Sequence, residues 1–241
     1  MGKSLQHTII KTGVLTLYFA FVTFSYGIAL FGFAFPRAMA QFGDALGAHS
    51  SAAMFYERAY KREPTTENLY LVLDRYILAR NHRQVVKSGD KFFDMADHDA
   101  VIAGVNEYFM ERAGENKLNR LRWCNEKNRL ETALIVSLIK TGRAERAATE
   151  LGEMLSEEKE PDMQQPNHAF FAFVVLGANT DSLKELTFVP YVNRFADYYK
   201  EHTDVIGERV FALDFLMTAF NYLGDRVETA HYARLLNEYI S

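Results

Sequence analysis

With 241 residues, 49% of them hydrophobic and 24% charged, the chain has the apolar content of a packed domain and reads as neither disordered nor fibrous. Its formal charge of -4 is unevenly placed: Lys3, Lys11 and Arg37 are the only charged residues up to position 37, which leaves 24 basic against 31 acidic residues beyond it. An acidic domain of that kind argues against nucleic acid as a partner, because such binding rests on basic groups facing phosphates, and the single Cys124 excludes an internal disulfide.

Residues 1–11 form a short tail. From Thr12 to Pro36 no charge occurs and the only polar side chains are Thr12, Thr16, Thr23, Ser25 and the tyrosines Tyr18 and Tyr26. A buried soluble helix of that length would show a polar face, so residues 12–37 are read as a transmembrane anchor. Ala38, Met39 and Ala40 make a small-x-small tripeptide suited to signal cleavage, but the apolar run exceeds the h-region of a signal peptide, so retention is the expectation. Gly13, Thr16, Ala20, Thr23, Gly27 and Ala34 follow one another at helical spacings, and a small-residue face of this kind lets a second helix approach closely. Lys3 and Lys11 precede the span, whereas Arg37 after it is offset by Asp44. That bias places the N-terminus in the cytoplasm and the rest of the chain outside; a cytosolic domain is the alternative.

Beyond the anchor, residues 38–241 alternate amphipathic stretches with short breaks, and no alternating strand pattern interrupts them, so the fold class is all-α. Helices are expected near 48–62, 66–80, 83–95, 99–113, 116–126, 128–141, 144–158, 167–177, 190–201, 207–223 and 226–240. Breaks fall at Pro64, Gly114, Gly142, the stretch with Pro161 and Pro166, and Gly224. The residues Ala38 to Leu46 are open to being both the end of the membrane helix and the first helix of the first hairpin.

Helices of this length joined by short turns suggest stacked hairpins. Gly47, Ala52, Tyr56, Ala59 and Pro64 run in the order glycine, small, aromatic, small, proline, and Gly142 with Ala147 echoes the start of that order after Leu134 and Leu138. The pattern resembles the tetratricopeptide repeat, in degenerate form. The resemblance implies a right-handed solenoid of antiparallel helix pairs whose concave surface takes up protein partners. Between these stretches, Leu69, Leu73, Tyr76 and Ile77 read as pairing with Val85, Val86, Phe92 and Phe93 in one further hairpin.

Enzyme motifs are missing: no glycine-rich phosphate loop, no G-x-S-x-G and no H-E-x-x-H occurs. Asp94, Asp97, His98 and Asp99 are weak candidates for a divalent cation, and helix capping accounts for them more simply. Glu107 and Glu111 lie four apart, as on any solvated helix. The one basic concentration, Lys117, Arg120 and Arg122 around Trp123, is a candidate surface for an acidic peptide or lipid headgroups. No cofactor is implied. The expectation is a non-enzymatic, membrane-anchored scaffold or adaptor that binds protein partners, among them a transmembrane subunit or a second copy. The alternatives are an N-anchored receptor that captures targeting segments and, less simply, a metal-dependent enzyme using residues 94–99.

Overall fold

The computed structural model describes residues 2–113, 126–157, 168–177, 188–202 and 206–240, and among these every regular element is a helix. The chain divides into two compact units, Met1–Ala79 and Arg80–Ser241.

The first unit contains α1 (Gly2–Ala34), α2 (Pro36–Ala45), α3 (His49–Arg62) and α4 (Thr66–Leu78). Within α1, Thr16–Ala34 is long and apolar enough to cross a membrane, about 28 Å at 1.5 Å per residue. Among its described large side chains, Leu17, Phe21, Tyr26 and Phe33 are 72, 69, 68 and 67% exposed. The helix breaks at Phe35, and Pro36 opens α2, where its missing N–H costs nothing. Residues 38–46 therefore do not continue α1; α2 is a separate element, and it makes the first hairpin with α3.

That hairpin closes on small residues. Ala40, Ala52 and Ala53 are wholly buried, and a Cβ added at Gly43 would come within 3.3 Å of the Ala52 backbone and side chain, so α2 and α3 approach almost backbone to backbone. Gly47 ends α2 with φ of 69°; the Ala48 N–H reaches back to the Gly43 carbonyl at 2.8 Å. This 6→1 closure needs the left-handed conformation that glycine adopts without penalty. Helix α4 begins where Pro64 stops α3: the Thr65 hydroxyl accepts from the Asn68 N–H, and the Asn68 amide donates to the Glu63 carbonyl at 2.9 Å. It packs on α3 through Leu69, Val72, Leu73 and Tyr76, all buried.

The second unit contains α5 (His82–Phe93), α6 (His98–Ala113), α7 (Glu126–Lys140), α8 (Ala144–Glu157), α9 (His168–Val175), α10 (Val189–His202), α11 (Ile206–Leu223) and α12 (Arg226–Ile240). Helices α5 and α7 pack closely: a Cβ on Gly89 would meet the Leu134 side chain at 3.2 Å, and His82 Nδ1 lies 3.0 Å from the Ser137 hydroxyl. Gly142 closes α7 with the same 6→1 bond seen at Gly47, from the Arg143 N–H to the Leu138 carbonyl at 2.8 Å. Arg146 on α8 forks onto Asp90 of α5 at 2.6 and 3.0 Å and onto Glu150 at 3.0 and 3.1 Å. Its guanidinium is held firmly protonated by the hydrogen bond to Asp90, which outweighs the cost of burial.

The C-terminal half of this unit is built on rings. Phe170, Phe173, Phe188, Tyr191, Phe195 and Phe215 are all buried, and Phe215 has the rings of Phe195, Phe170 and Tyr191 at 4.5, 5.5 and 6.1 Å between centroids. Tyr198 and Tyr199 are half-buried against the edge of this core. Replacing Phe215 by Ala is expected to cost about 3–5 kcal/mol, read as a lower midpoint in urea unfolding followed by circular dichroism.

Candidate membrane and partner interface

The end of α1 is built into the first unit by a specific seat. A Cβ on Gly32 would lie 2.5 Å from the Phe55 ring of α3, so any larger residue there would force that ring to move. Seven residues on, Arg62 reaches back to the same helix end. Its guanidinium donates to the carbonyl oxygen of Ala34 at 2.9 Å and to that of Phe33, and it stacks 5.1 Å above the Phe33 ring. The last carbonyls of a helix have no partner of their own, and a cation near them also faces the negative end of the helix dipole. Arg62 therefore serves α1 as a C-terminal cap supplied by another helix.

A second polar knot holds α2, α3 and α4 together. Asp44, in the last turn of α2, accepts from Arg75 Nε of α4 at 2.6 Å and from the Tyr56 hydroxyl of α3 at 3.1 Å. Arg75 also bonds Asp74, and its guanidinium lies 5.9 Å from the Tyr56 ring centre. Burial works against the Arg75 charge, but the hydrogen bond to Asp44 and the negative charges of Asp74 and Asp44 prevail and raise its pKa. Burial, reinforced by the Asp44 charge, pushes the Tyr56 hydroxyl up to about 12; burial and Glu57 do the same to Tyr76. The sequence count sets Asp44 against Arg37 in the flanking charge; in the folded unit Asp44 is engaged by Arg75 instead.

The other residues singled out in the sequence have these places. Thr16, Ala20, Thr23, Gly27 and Ala34 are exposed, and a Cβ at Gly27 would meet nothing within 4 Å; Gly13 lies on α1, outside the residues whose surroundings are described. Ala52, Tyr56, Ala59 and Ala147 are buried, Gly47 and Gly142 are helix-ending turns, and Pro64 is exposed beyond α3. The leucine and aromatic residues read as one hairpin across 69–93 fall in different units: α4 packs on α3, and α5 on α7.

Lys117, Arg120, Arg122 and Trp123 lie outside the described residues. Among the described residues no three histidine, cysteine or carboxylate groups come together in a way that suits a metal ion. His98 is engaged locally, with Nδ1 2.7 Å from the Met95 carbonyl, Nε2 3.5 Å from Asp99, and its ring edge-on to Phe92 and Phe93. Asp99 also has Lys127 Nζ at 3.8 Å, and Asp94 stands at the C-terminal end of α5.

In comparisons with known proteins, no protein-family model matches the chain, and no curated protein matches it.

Sequence reading missed Gly32, Arg62 and the pairing of Asp44 with Arg75. Gly32 interrupts a phenylalanine-rich run, Phe31-Gly32-Phe33-Ala34-Phe35, and that one absent side chain was the signal available for a close approach.

The knot makes stability sensitive to alkali. The raised Tyr56 and Tyr76 values mean that the folded state prefers the neutral phenols. Their contribution is complete below pH 10 and is lost as pH rises through about 12. Circular dichroism over that window should show a loss that shrinks in a Tyr56→Phe, Tyr76→Phe variant. At neutral pH the Tyr56→Phe change alone is expected to cost about 1.5–3 kcal/mol, the value of a hydrogen bond to a charged group.

Proposed function

We propose that the chain is a non-enzymatic adaptor held in a membrane by α1 as a single-pass anchor, with the helices beyond it forming a degenerate tetratricopeptide-like array that binds protein partners. The observation that carries this reading is the seat of α1 on α3. Gly32 against Phe55 and Arg62 on the last carbonyls leave no free linker between the apolar span and the first hairpin, so a partner held by one is presented to the other at fixed geometry. Retention of the anchor is supported by α2: cleavage after Ala40 would remove Pro36 and Ala40, both buried in the first unit.

The stripe of Thr16, Ala20, Thr23 and Gly27 is the surface assigned to a membrane-embedded partner or a second copy, because it is exposed and small enough for close helix contact. Two ion pairs tie helices together, Asp44 with Arg75 in the first unit and Asp90 with Arg146 in the second, which suits a structural and binding role.

A second reading, an N-anchored receptor with its domain in the cytosol, is favoured by one observation. Arg58, Lys61 and Arg62 lie on the helix that seats the C-terminal end of α1, so they add to Arg37 on that flank, whereas Lys3 and Lys11 remain alone on the other.

The adaptor reading is tested with Ala20→Ile and Gly27→Ile together, which enlarge the stripe at points where nothing in the fold is disturbed. Partners recovered with the full-length protein from mild detergent should be depleted about tenfold or more, which is the effect of losing ~1.4 kcal/mol of helix contact, while the thermal midpoint stays unchanged. Undiminished recovery would remove the stripe from the binding surface.

A further inference from the structure

Arg62 marks a depth. The carbonyls it binds, those of Phe33 and Ala34, are the last of the apolar stretch Thr16–Ala34, so its guanidinium stands where a membrane's hydrocarbon gives way to headgroups. Arg58, one turn earlier on α3, is stacked 5.3 Å above the ring of Phe55, the residue that seats Gly32. Arg37 is the second residue of α2 and lies close enough to the Tyr56 hydroxyl to act on its titration. Lys61 sits beside Arg62 in the last turn of α3, and all four cations are exposed.

The acids of the same segment do not neutralise them. Asp44 is taken by Arg75 and Tyr56, and Glu57 by Tyr76; Glu63 is exposed just past α3. Among the described residues no carboxylate lies within ion-pair distance of Arg37, Arg58, Lys61 or Arg62. Two of the guanidinium groups are held in place by aromatic rings; that of Arg58 is suited to gripping a phosphate with two donors, while Arg62, already bonded to the Phe33 and Ala34 carbonyls, offers its remaining N–H groups. Phe33 and Phe35 are exposed beside them, and an amphipathic rim of aromatics and long cations matches the membrane interface.

We propose that Arg37, Arg58, Lys61 and Arg62 form a collar that binds the phosphate groups of anionic phospholipids around the exit of α1, pressing the α2–α3 hairpin against the membrane surface. The collar rests on the anchored reading above and adds to it a second, headgroup-specific attachment.

The test places the full-length protein in vesicles of phosphatidylcholine alone and of phosphatidylcholine with phosphatidylglycerol, and follows hydrogen exchange of the α3 amides by mass spectrometry. At low salt each basic side chain near an anionic surface is expected to slow local opening about fivefold, and about 0.5 M salt should remove most of the effect by screening. The variant Arg37→Gln with Arg58→Gln leaves the Arg62 cap intact and should lose most of the lipid-dependent protection while keeping the wild-type exchange pattern in phosphatidylcholine. Arg62→Gln is compared separately, since it also removes the cap. Equal exchange in the two kinds of vesicle overturns the collar, as does equal protection from inorganic phosphate added to the neutral vesicles. Resistance of α1 to protease and to carbonate extraction is read in the same samples. An inserted α1 without lipid dependence overturns the collar alone, and an α1 that fails to insert overturns the anchored reading and the collar with it.

Discussion

The first unit depends on satisfying the end of its longest helix. A helix end presents carbonyl groups with no internal partners. Arg62 supplies the donors, and its long side chain lies along Phe33 on the way. Because Arg62 belongs to α3, satisfying α1 also fixes where α3 runs, and Phe55 then lands on Gly32. The break at Phe35, which by itself would act as a joint, is bridged from outside.

The constraint passes on through one carboxylate. Once α3 is placed, Tyr56 meets Asp44 of α2, and Arg75 of α4 completes the knot. The pairing is half-buried, so removing one partner would strand the other, which makes such knots better at specifying one arrangement than at adding stability. The second unit reaches the same end differently. Arg146 ties α8 to α5 at the surface, while the interior from α9 to α11 is filled by interlocked rings whose shapes leave little freedom of repacking.

Beyond the first helix, positions were legible because each helix carries its own period and its own stop: Pro64, Gly142 and Gly224 lie where the chain turns, and the described ends from α3 onward differ from the expected ones by a residue or two, whereas α1 spans Gly2–Ala34 rather than 12–37 and the helix expected near 116–126 falls almost wholly outside the described residues. Partnership between helices was not. The apolar residues of α4 and α5 look alike whether the two helices pair with each other or with α3 and α7, and periodicity says which face is buried without saying against what. The glycine, small and aromatic order from Gly47 to Ala59 was legible as packing, since Ala52, Tyr56 and Ala59 are indeed buried, yet any tight helical hairpin closed by a left-handed glycine would ask for the same residues. The contacts that join α1 to the rest were invisible, because Gly32 with Phe55 and Ala34 with Arg62 are 23 and 28 residues apart and depend on tertiary placement.

Gly32 also sets an azimuth. An α-helix turns 100° per residue, so the five residues from Gly27 to Gly32 carry the chain roughly 140° around the axis. The small stripe therefore looks away from the side of α1 that rests on Phe55, and neither surface shields the other. A helix docked on the stripe and the hairpin carried by α3 stand on opposite flanks of one rod. The residue count between the two glycines acts as a phase angle that sets the direction in which the α2–α3 hairpin is displayed.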